Sequence, residues 1–236
     1  QKYKGFFDGG YQAIQESRYE RMLELGVFDP YTTPIFPQPI RDWETLGAEE
    51  QAYEAQNMEI HAAMVDNLDQ NIGRVIEKLE QLGELDNTVL FFFTDNGASA
   101  ERTQRAWVNY EPTGEEPVGS VMTYECIGND WGHVLNVPFA KHKSHSYEGG
   151  IRTPMIAFWP AGMKQAEQDG GGFYRESAHL VDKKKQGPWE LYDLGTRQTE
   201  TENLAEQQPE RVKALAAAWE ERAEHYDRVA AQVEAK

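Results

Sequence analysis

The chain has 236 residues, of which 39% are hydrophobic, 11% aromatic and 27% charged, a composition typical of a globular protein. With 23 Lys and Arg against 40 Asp and Glu, its formal net charge is −17. This charge argues against nucleic-acid binding, which needs a basic face, and leaves a weak attraction for divalent cations open. The single cysteine, Cys126, allows neither an intrachain disulfide nor a cysteine-rich zinc site. No stretch approaches the roughly 20 apolar residues of a membrane span.

The first half of the chain predicts two helices joined by a proline-rich loop. Apolar residues recur at helical spacing from Gly10 to Leu25, and Gly26 follows where a C-terminal cap glycine belongs. Residues 27–43 contain prolines that remove backbone donors, which predicts an extended surface loop. The longest periodic stretch runs from about Ala48 to Leu82 and closes at Gly83, which predicts a long helix with one buried apolar stripe.

Two apolar runs predict strands. The run TVLFFFT, residues 88–94, is continuously β-branched and aromatic, which favours a strand covered on both faces, as in a parallel sheet. PMIAFWP, residues 154–160, predicts a second buried strand entered through Gly149 and Gly150. A helix followed by a buried strand indicates an α/β fold. Near the end of the chain, residues 187–194 predict a short strand and turn, and a helix follows from Pro209.

Polar residues follow the first strand and precede the second. The first strand ends in Asp95-Asn96-Gly97, which offers carboxylate and carboxamide oxygens of the kind that Ca²⁺ binds. Taken alone, such a sequence is most often an ordinary turn. The loop before the second strand collects charged and ionisable residues and is a second candidate site; they are Lys141, His142, Lys143, His145 and Glu148.

Taken in order, these motifs strongly resemble the second half of arylsulfatase-like members of the sulfatase family. The resemblance rests on LDNTVLFFFTDNGASAE (85–101), WGHVLNVPFAKHKSHSYEGGIRTPMIAFWPAG (131–162) and GPWELYDLGTRQTETENLAEQQPERV (187–212). It implies an alkaline-phosphatase-like α/β/α sandwich, here partial, with a short C-terminal strand and helix. It also implies hydrolysis of sulfate esters at a Ca²⁺ site. We expect a partial sulfatase α/β domain at residues 1–182 and a remnant of the C-terminal subdomain at residues 183–236.

The resemblance also implies roles for individual residues. Asp95 and Asn96 match the family's late pair of metal ligands, and Lys143 matches a lysine that contacts the sulfate. A cation and an ammonium group would together stabilise the charge of a dianion-like transition state. In the stretch EGGIRT, residues 148–153, the glycines would permit close approach of the loop to the site, and Arg152 would pair carboxylates behind it.

The remaining ionisable residues of this region receive structural interpretations. We interpret His142 and His145 as solvated loop histidines, and His133 as a structural side chain rather than a ligand. Cys126, in YECIGND, fits no nucleophile motif and is interpreted as an incidental or buried thiol.

The chain also departs from the family pattern. The C/S-x-P/A-x-R motif that supplies the formylglycine nucleophile is absent, as are the early paired aspartates of the calcium shell. We therefore expect a fragment with half a site, which binds Ca²⁺ and sulfate weakly and is inactive alone. Only residues 183–186 stand where the family has an intervening block. Missing strands would leave apolar sheet edges uncovered, which predicts self-association.

Two alternative functions follow from the same residues. One is a phosphoesterase of the same superfamily, although the EGGIRTP and WELYDL motifs favour a sulfatase. The other is a non-catalytic interaction protein that reuses the fold, with its acidic helices at residues 48–82 and 210–233 contacting a partner. By analogy with the family, the expected location is periplasmic or extracellular.

Overall fold

The computed structural model describes residues 1–100, 119–120, 126–162, 178–181 and 188–234. Five helices lie in these ranges: α1 (Gly10–Glu24), α2 (Ala48–Gln81), α3 (Gly128–Leu135), α4 (Glu148–Ile151) and α5 (Pro209–Glu234). The strands are β1 (Leu90–Phe93), β2 (Met155–Phe158), β3 (Ala178–Val181) and β4 (Glu190–Asp193). Short 3-10 turns at Trp43–Thr45 and Leu85–Asn87 precede α2 and β1. Within the described ranges, we find no helix with the length and apolar character that a bilayer crossing requires.

The three long helices are confirmed where the sequence predicts them. Gly26 and Gly83, with φ of 67° and 70°, follow the ends of α1 and α2 in the left-handed conformation of a C-terminal cap. The buried stripe predicted for α2 is wrong, however. Its buried residues lie near its beginning (Glu54, Ala55, Asn57 and Met58), whereas Met64 and Val75 on the stripe are 67% and 57% exposed.

The two apolar runs form strands, but their pairing and burial differ from the prediction. β1 and β2 pair antiparallel in a two-stranded sheet, with Leu90 opposite Phe158 and Phe93 opposite Met155. Both strands are exposed: Phe91 by 59% and Ile156 by 61%. An apolar run predicts a strand whose side chains are suited to burial, but it does not identify the residues that bury them. In the described part of the chain, β1 and β2 pair only with each other. β3 and β4 form a second antiparallel pair.

An aromatic core joins the helices. Trp131 of α3 and Tyr11 of α1 are fully buried, with ring centroids 4.7 Å apart. Trp43 packs edge-on against Tyr11 at 4.9 Å, and Phe7 packs against Trp131 at 5.8 Å. The indole N–H of Trp131 donates to the backbone oxygen of Glu54 at 3.1 Å, which satisfies a buried polar group and ties α3 to α2.

Arg41 of the proline-rich loop fixes the beginning of α3. Its Nε lies 2.7 Å from Oδ2 of Asp130, and its backbone N–H donates to Oδ1 of the same carboxylate at 3.1 Å. The guanidinium also lies 2.6 Å from Glu50 and 3.5 Å from Glu54, both on α2. Asp130 and Glu54 are 5% and 2% exposed, so this one cation neutralises two buried acids and holds α3 against α2.

Candidate functional site

Two loops that the sequence analysis singled out meet through their backbones. We call residues 94–100, which follow β1, the strand-end loop, and residues 137–147, which precede α4, the lysine loop. The backbone N–H of Lys143 donates to the oxygen of Ala98 at 3.1 Å, and the N–H of Gly97 donates at 3.0 Å to the oxygen of Gly150, in α4 directly after the lysine loop. The structure therefore places Lys143 beside the loop that carries Asp95 and Asn96.

Glycines allow this contact, as the sequence predicts. A Cβ atom on Gly97 would overlap the backbone oxygen of Gly149. A Cβ on Gly149 would overlap the oxygens of Ala140 and Lys141, and one on Gly150 would overlap a neighbouring carbonyl of the lysine loop. The absence of these side chains brings the backbones within hydrogen-bonding distance, a role that no other residue type could fill.

Asn136, at the end of α3, is hydrogen-bonded to both loops. The sequence analysis did not identify this residue. Its Oδ1 accepts the N–H of Ala98 at 3.0 Å, and its Nδ2 donates to the oxygen of Lys141 at 3.2 Å. A signal was present, because Asn129, His133 and Asn136 are spaced i, i+4 and i+7 and so share one helix face. α3 itself was not predicted, so this polar stripe went unnoticed.

Three histidine rings pack together, His142 and His145 of the lysine loop and His133 of α3. The ring centroid of His142 lies 4.9 Å from that of His133 and 4.7 Å from that of His145. His133 is only 2% exposed, and burial followed by the proximity of His142 and Lys141 lowers its pKa to about 4. His145 is exposed, but the prediction of a solvated His142 is wrong: this ring is half-buried, and burial lowers its pKa.

The predicted metal ligands stand at the end of β1, Asp95 exposed and Asn96 half-buried. Their carboxylate and carboxamide oxygens suit a hard cation, so the donor chemistry fits two of the six to eight oxygen positions that Ca²⁺ takes. Across the described ranges, no group of three or more His, Cys, Asp or Glu side chains is arranged to hold a metal ion. Asp95 and Asn96 could therefore supply two of the oxygen ligands of a cation site.

Two buried acids, Glu148 and Glu200, lie at the beginning of α4, directly after the lysine loop. The backbone N–H of Glu148, at the beginning of α4, donates to Oε1 of Glu200 at 2.6 Å. Glu148 and Glu200 are 4% and 2% exposed. Arg152 lies 3.4 Å from Oε2 of Glu148 and donates to Gln198 at 2.8 Å, which confirms the predicted pairing of this arginine with a carboxylate.

The titration of Glu200 makes stability depend on pH. Burial raises its pKa from 4.5 to about 7. Between these values the folded chain binds more protons than the unfolded chain, so this group lowers stability as pH rises. Glu200→Gln keeps an oxygen for the Glu148 N–H but cannot ionise. We expect the free energy of unfolding of the variant, relative to the wild type, to increase by about 1–3 kcal/mol between pH 5 and pH 8.

Urea unfolding of both proteins at these two pH values measures that change. Glu202→Gln is the matched control, because it makes the same substitution at a nearby carboxylate that is 59% exposed. A constant difference between Glu200→Gln and the wild type would contradict the prediction.

A separate cavity of about 200 Å³ is lined by residues that include Tyr192, Thr199 and Glu200. It contains none of the residues that the sequence predicts for the site. The hydroxyl of Thr199 inside it is fully buried and has no hydrogen-bond partner in the described part of the chain.

Comparisons with known proteins agree with the motifs. A model of the sulfatase family matches residues 2–187. The arylsulfatase of Klebsiella aerogenes is 34% identical over 166 residues, which cover 67% of this chain and 36% of that protein. An uncharacterized sulfatase of Schizosaccharomyces pombe is 33% identical over 168 residues, 67% of this chain and 30% of that protein. The chain therefore spans about a third of the length of these curated relatives.

Two further matches are more distant. Human N-acetylgalactosamine-6-sulfatase is 32% identical over 96 residues, 41% of this chain and 13% of that protein. A crystal structure of Ps i-CgsB in complex with k-i-k-neocarrahexaose is 16% identical and covers 89% of this chain and 54% of that chain. Its TM-score of 0.44 is too low to carry an argument.

Proposed function

Because the chain belongs to the sulfatase family, we propose that its two joined loops form the cation-binding and sulfate-contacting part of an arylsulfatase-like sulfate ester hydrolase. The observation that carries this proposal is the backbone contact between the loops. The bond from Lys143 N–H to Ala98 O, at 3.1 Å, holds an ammonium-bearing residue next to a carboxylate and a carboxamide. Such a pairing suits a sulfate group, because the carboxylate and the carboxamide can hold a cation that contacts the sulfate while the ammonium group contacts it directly.

Each residue has a distinct role in this proposal. Asp95 and Asn96 would hold Ca²⁺ through their side-chain oxygens, and Lys143 would contact the sulfate group of the substrate. Ca²⁺, when bound, supplies positive charge where negative charge collects on the sulfate oxygens. Since two ligands supply only part of a calcium shell, we expect affinity for Ca²⁺ to be weaker than micromolar.

Turnover would need groups that these 236 residues do not contain. The sequence has no C/S-x-P/A-x-R motif to supply a formylglycine nucleophile. The curated relatives are about three times as long as the part that this chain matches. We therefore propose that this chain is a fragment that binds without hydrolysing, and that hydrolysis requires a nucleophile and further metal ligands from additional polypeptide.

The exposed strands support the corresponding proposal about the fold. Phe91 and Phe93 of β1 and Ile156 of β2 are 59%, 62% and 61% exposed, and apolar strands of this kind are normally covered. We propose that β1 and β2 belong to a larger sheet of an α/β/α sandwich. The division into a domain at residues 1–182 and a C-terminal remnant at 183–236 remains part of this proposal, as does a periplasmic or extracellular location by family analogy.

The same exposed face favours one alternative, a non-catalytic protein that associates through these strands. Uncovered strand edges and apolar faces promote pairing between chains. Sedimentation at increasing protein concentration, with and without Ca²⁺, separates the two functions. Association that is indifferent to Ca²⁺, together with no sulfate binding, would favour the interaction protein over the hydrolase fragment.

The proposed role of Lys143 predicts a specific loss of anion binding. We expect Lys143→Gln to weaken binding of inorganic sulfate, measured by calorimetry in saturating CaCl₂, by about fivefold to tenfold, because a charge-assisted hydrogen bond is lost. Lys141→Gln is the matched control, since it removes the same charge from the same loop. Equal losses in both variants would show a general attraction of the loop for anions and would contradict the assigned contact.

A further inference from the structure

We propose that His142 is the positioning residue of the lysine loop, tying the carbonyl group of Lys143 to one face of α3. This inference rests on the proposed function, because Lys143 matters only if it contacts the sulfate. His142 itself would touch neither the sulfate nor the cation. Its role would be to fix the direction in which the loop presents Lys143.

The contacts of the His142 ring carry the proposal. Its Nδ1 lies 3.0 Å from the backbone oxygen of Lys143, and its Nε2 lies 3.1 Å from Oδ1 of Asn129. The ring also packs against His133, with centroids 4.9 Å apart. Asn129 and His133 are four residues apart on α3 and so lie on the same side of that helix. One imidazole thus bridges a rigid helix and the peptide group that follows Lys143.

The backbone of the loop needs such a support. Lys141 and Ser144 have φ of 64° and 74°, a left-handed conformation that is unfavourable for residues other than glycine. Strained conformations persist only where surrounding contacts hold them. On one side of Lys143, its N–H is held by Ala98 O at 3.1 Å. His142 holds the carbonyl on the other side, so both peptide groups of the lysine are fixed.

The hydrogen-bond partners of the His142 ring decide its tautomer. A nitrogen 3.0 Å from a carbonyl oxygen must carry a hydrogen, so Nδ1 is the donor. In a neutral ring Nε2 is then an acceptor, and the carboxamide of Asn129 must turn its NH₂ toward it. In a protonated ring Nε2 donates to Oδ1 instead. The ionisable groups that face the ring, His145, Lys141 and His133, all disfavour added positive charge, so we expect the neutral Nδ1–H form.

Three variants distinguish the effect of the Nδ1 hydrogen-bond donor of His142 from the effect of the packing of its ring. His142→Asn keeps a donor at the Nδ1 position, His142→Gln keeps one only at the Nε2 position, and His142→Leu fills similar space with no donor. The measurement is hydrogen exchange of the Lys143 amide by NMR. We expect exchange about tenfold faster in His142→Leu and His142→Gln, and within about twofold of the wild type in His142→Asn. Amides of α1 serve as the folding control in each variant.

Each outcome decides the proposal. Unchanged Lys143 exchange in His142→Leu would overturn it, and so would equal acceleration in His142→Asn, because the ring would then act by packing alone. Imidazole nitrogen shifts that show a neutral Nε2–H ring would also overturn it. Sulfate titration of the wild type is run in parallel. If sulfate does not bind while the exchange pattern holds, the proposed function fails and the positioning role stands.

Discussion

Replacing Asp95 by Ala is expected to abolish binding of Ca²⁺ to the chain. Asp95 supplies the only charged oxygen of the proposed pair, and Asn96 alone offers a single neutral ligand, far short of the six to eight that Ca²⁺ takes. The loop should keep its shape, because the contacts that hold it run through the backbones of Gly97 and Ala98 and not through the carboxylate. Calorimetric titration with CaCl₂ into the millimolar range measures the loss.

A matched control is required because the chain carries a net charge of −17, which attracts cations without any specific site. Asp69→Ala removes the same charge from an exposed position on α2 and should leave Ca²⁺ affinity within about twofold of the wild type. If Asp95→Ala binds as well as Asp69→Ala, the calcium assignment is wrong. A wild-type chain that binds no Ca²⁺ at all would also refute the cation-binding part of the proposed function.

The same Gly-to-Ala substitution is expected to have opposite effects at two places in the chain. At Gly97 a Cβ atom would overlap the oxygen of Gly149 in α4, so the strand-end loop must move away from α4 and from the lysine loop before it, and the hydrogen bonds that join them are lost. We expect Gly97→Ala to lower the free energy of unfolding by about 2–4 kcal/mol. Sulfate binding should fall with it, because Lys143 would no longer be held beside the strand-end loop.

At Gly73, in the middle of α2, a Cβ atom would meet nothing within 4 Å. Alanine is the better helix former there, so Gly73→Ala should raise the free energy of unfolding by about 0.5–1 kcal/mol. Urea unfolding of both variants tests the pair. A Gly97→Ala variant as stable as the wild type would mean that the loops do not touch as closely as the structure has them.

Sequence patterns predicted the long helices well because helix boundaries are local properties. The periodic stretch before Gly83 and the proline at residue 209 each mark an end or a beginning that neighbouring residues decide. Strand pairing is not local. The run of phenylalanines in β1 predicted a strand correctly, but the partner, the antiparallel direction and the exposure of its side chains depend on residues far along the chain.

For the candidate site as well, the features set by local motifs were predicted and the contacts between distant residues were not. The motifs around Asp95 and Lys143 identified both loops, and the glycines of EGGIRT indicated their close approach. The contacts of Asn136 and His142 depend on which groups face each side chain across space, and the spacing of Asn129, His133 and Asn136 was the one signal of them in the sequence. α3 has only eight residues and gave too short a pattern for its polar face to be recognised. The metal and sulfate contacts themselves stay predictions until binding is measured.

The two loops are joined by amide hydrogens and carbonyl oxygens, which every residue except proline provides in full. Side chains at the outer positions of the lysine loop, Ser144, His145 and Ser146, are exposed and take no part in the bonds between Lys143 and Ala98 or between Gly97 and Gly150. The side chain at position 146 could therefore be changed while the lysine stays in place, whereas His145 packs against His142 and Ser144 has a left-handed backbone. A library randomised at position 146 would be a practical way to alter ligand preference without disturbing the contacts that hold Lys143.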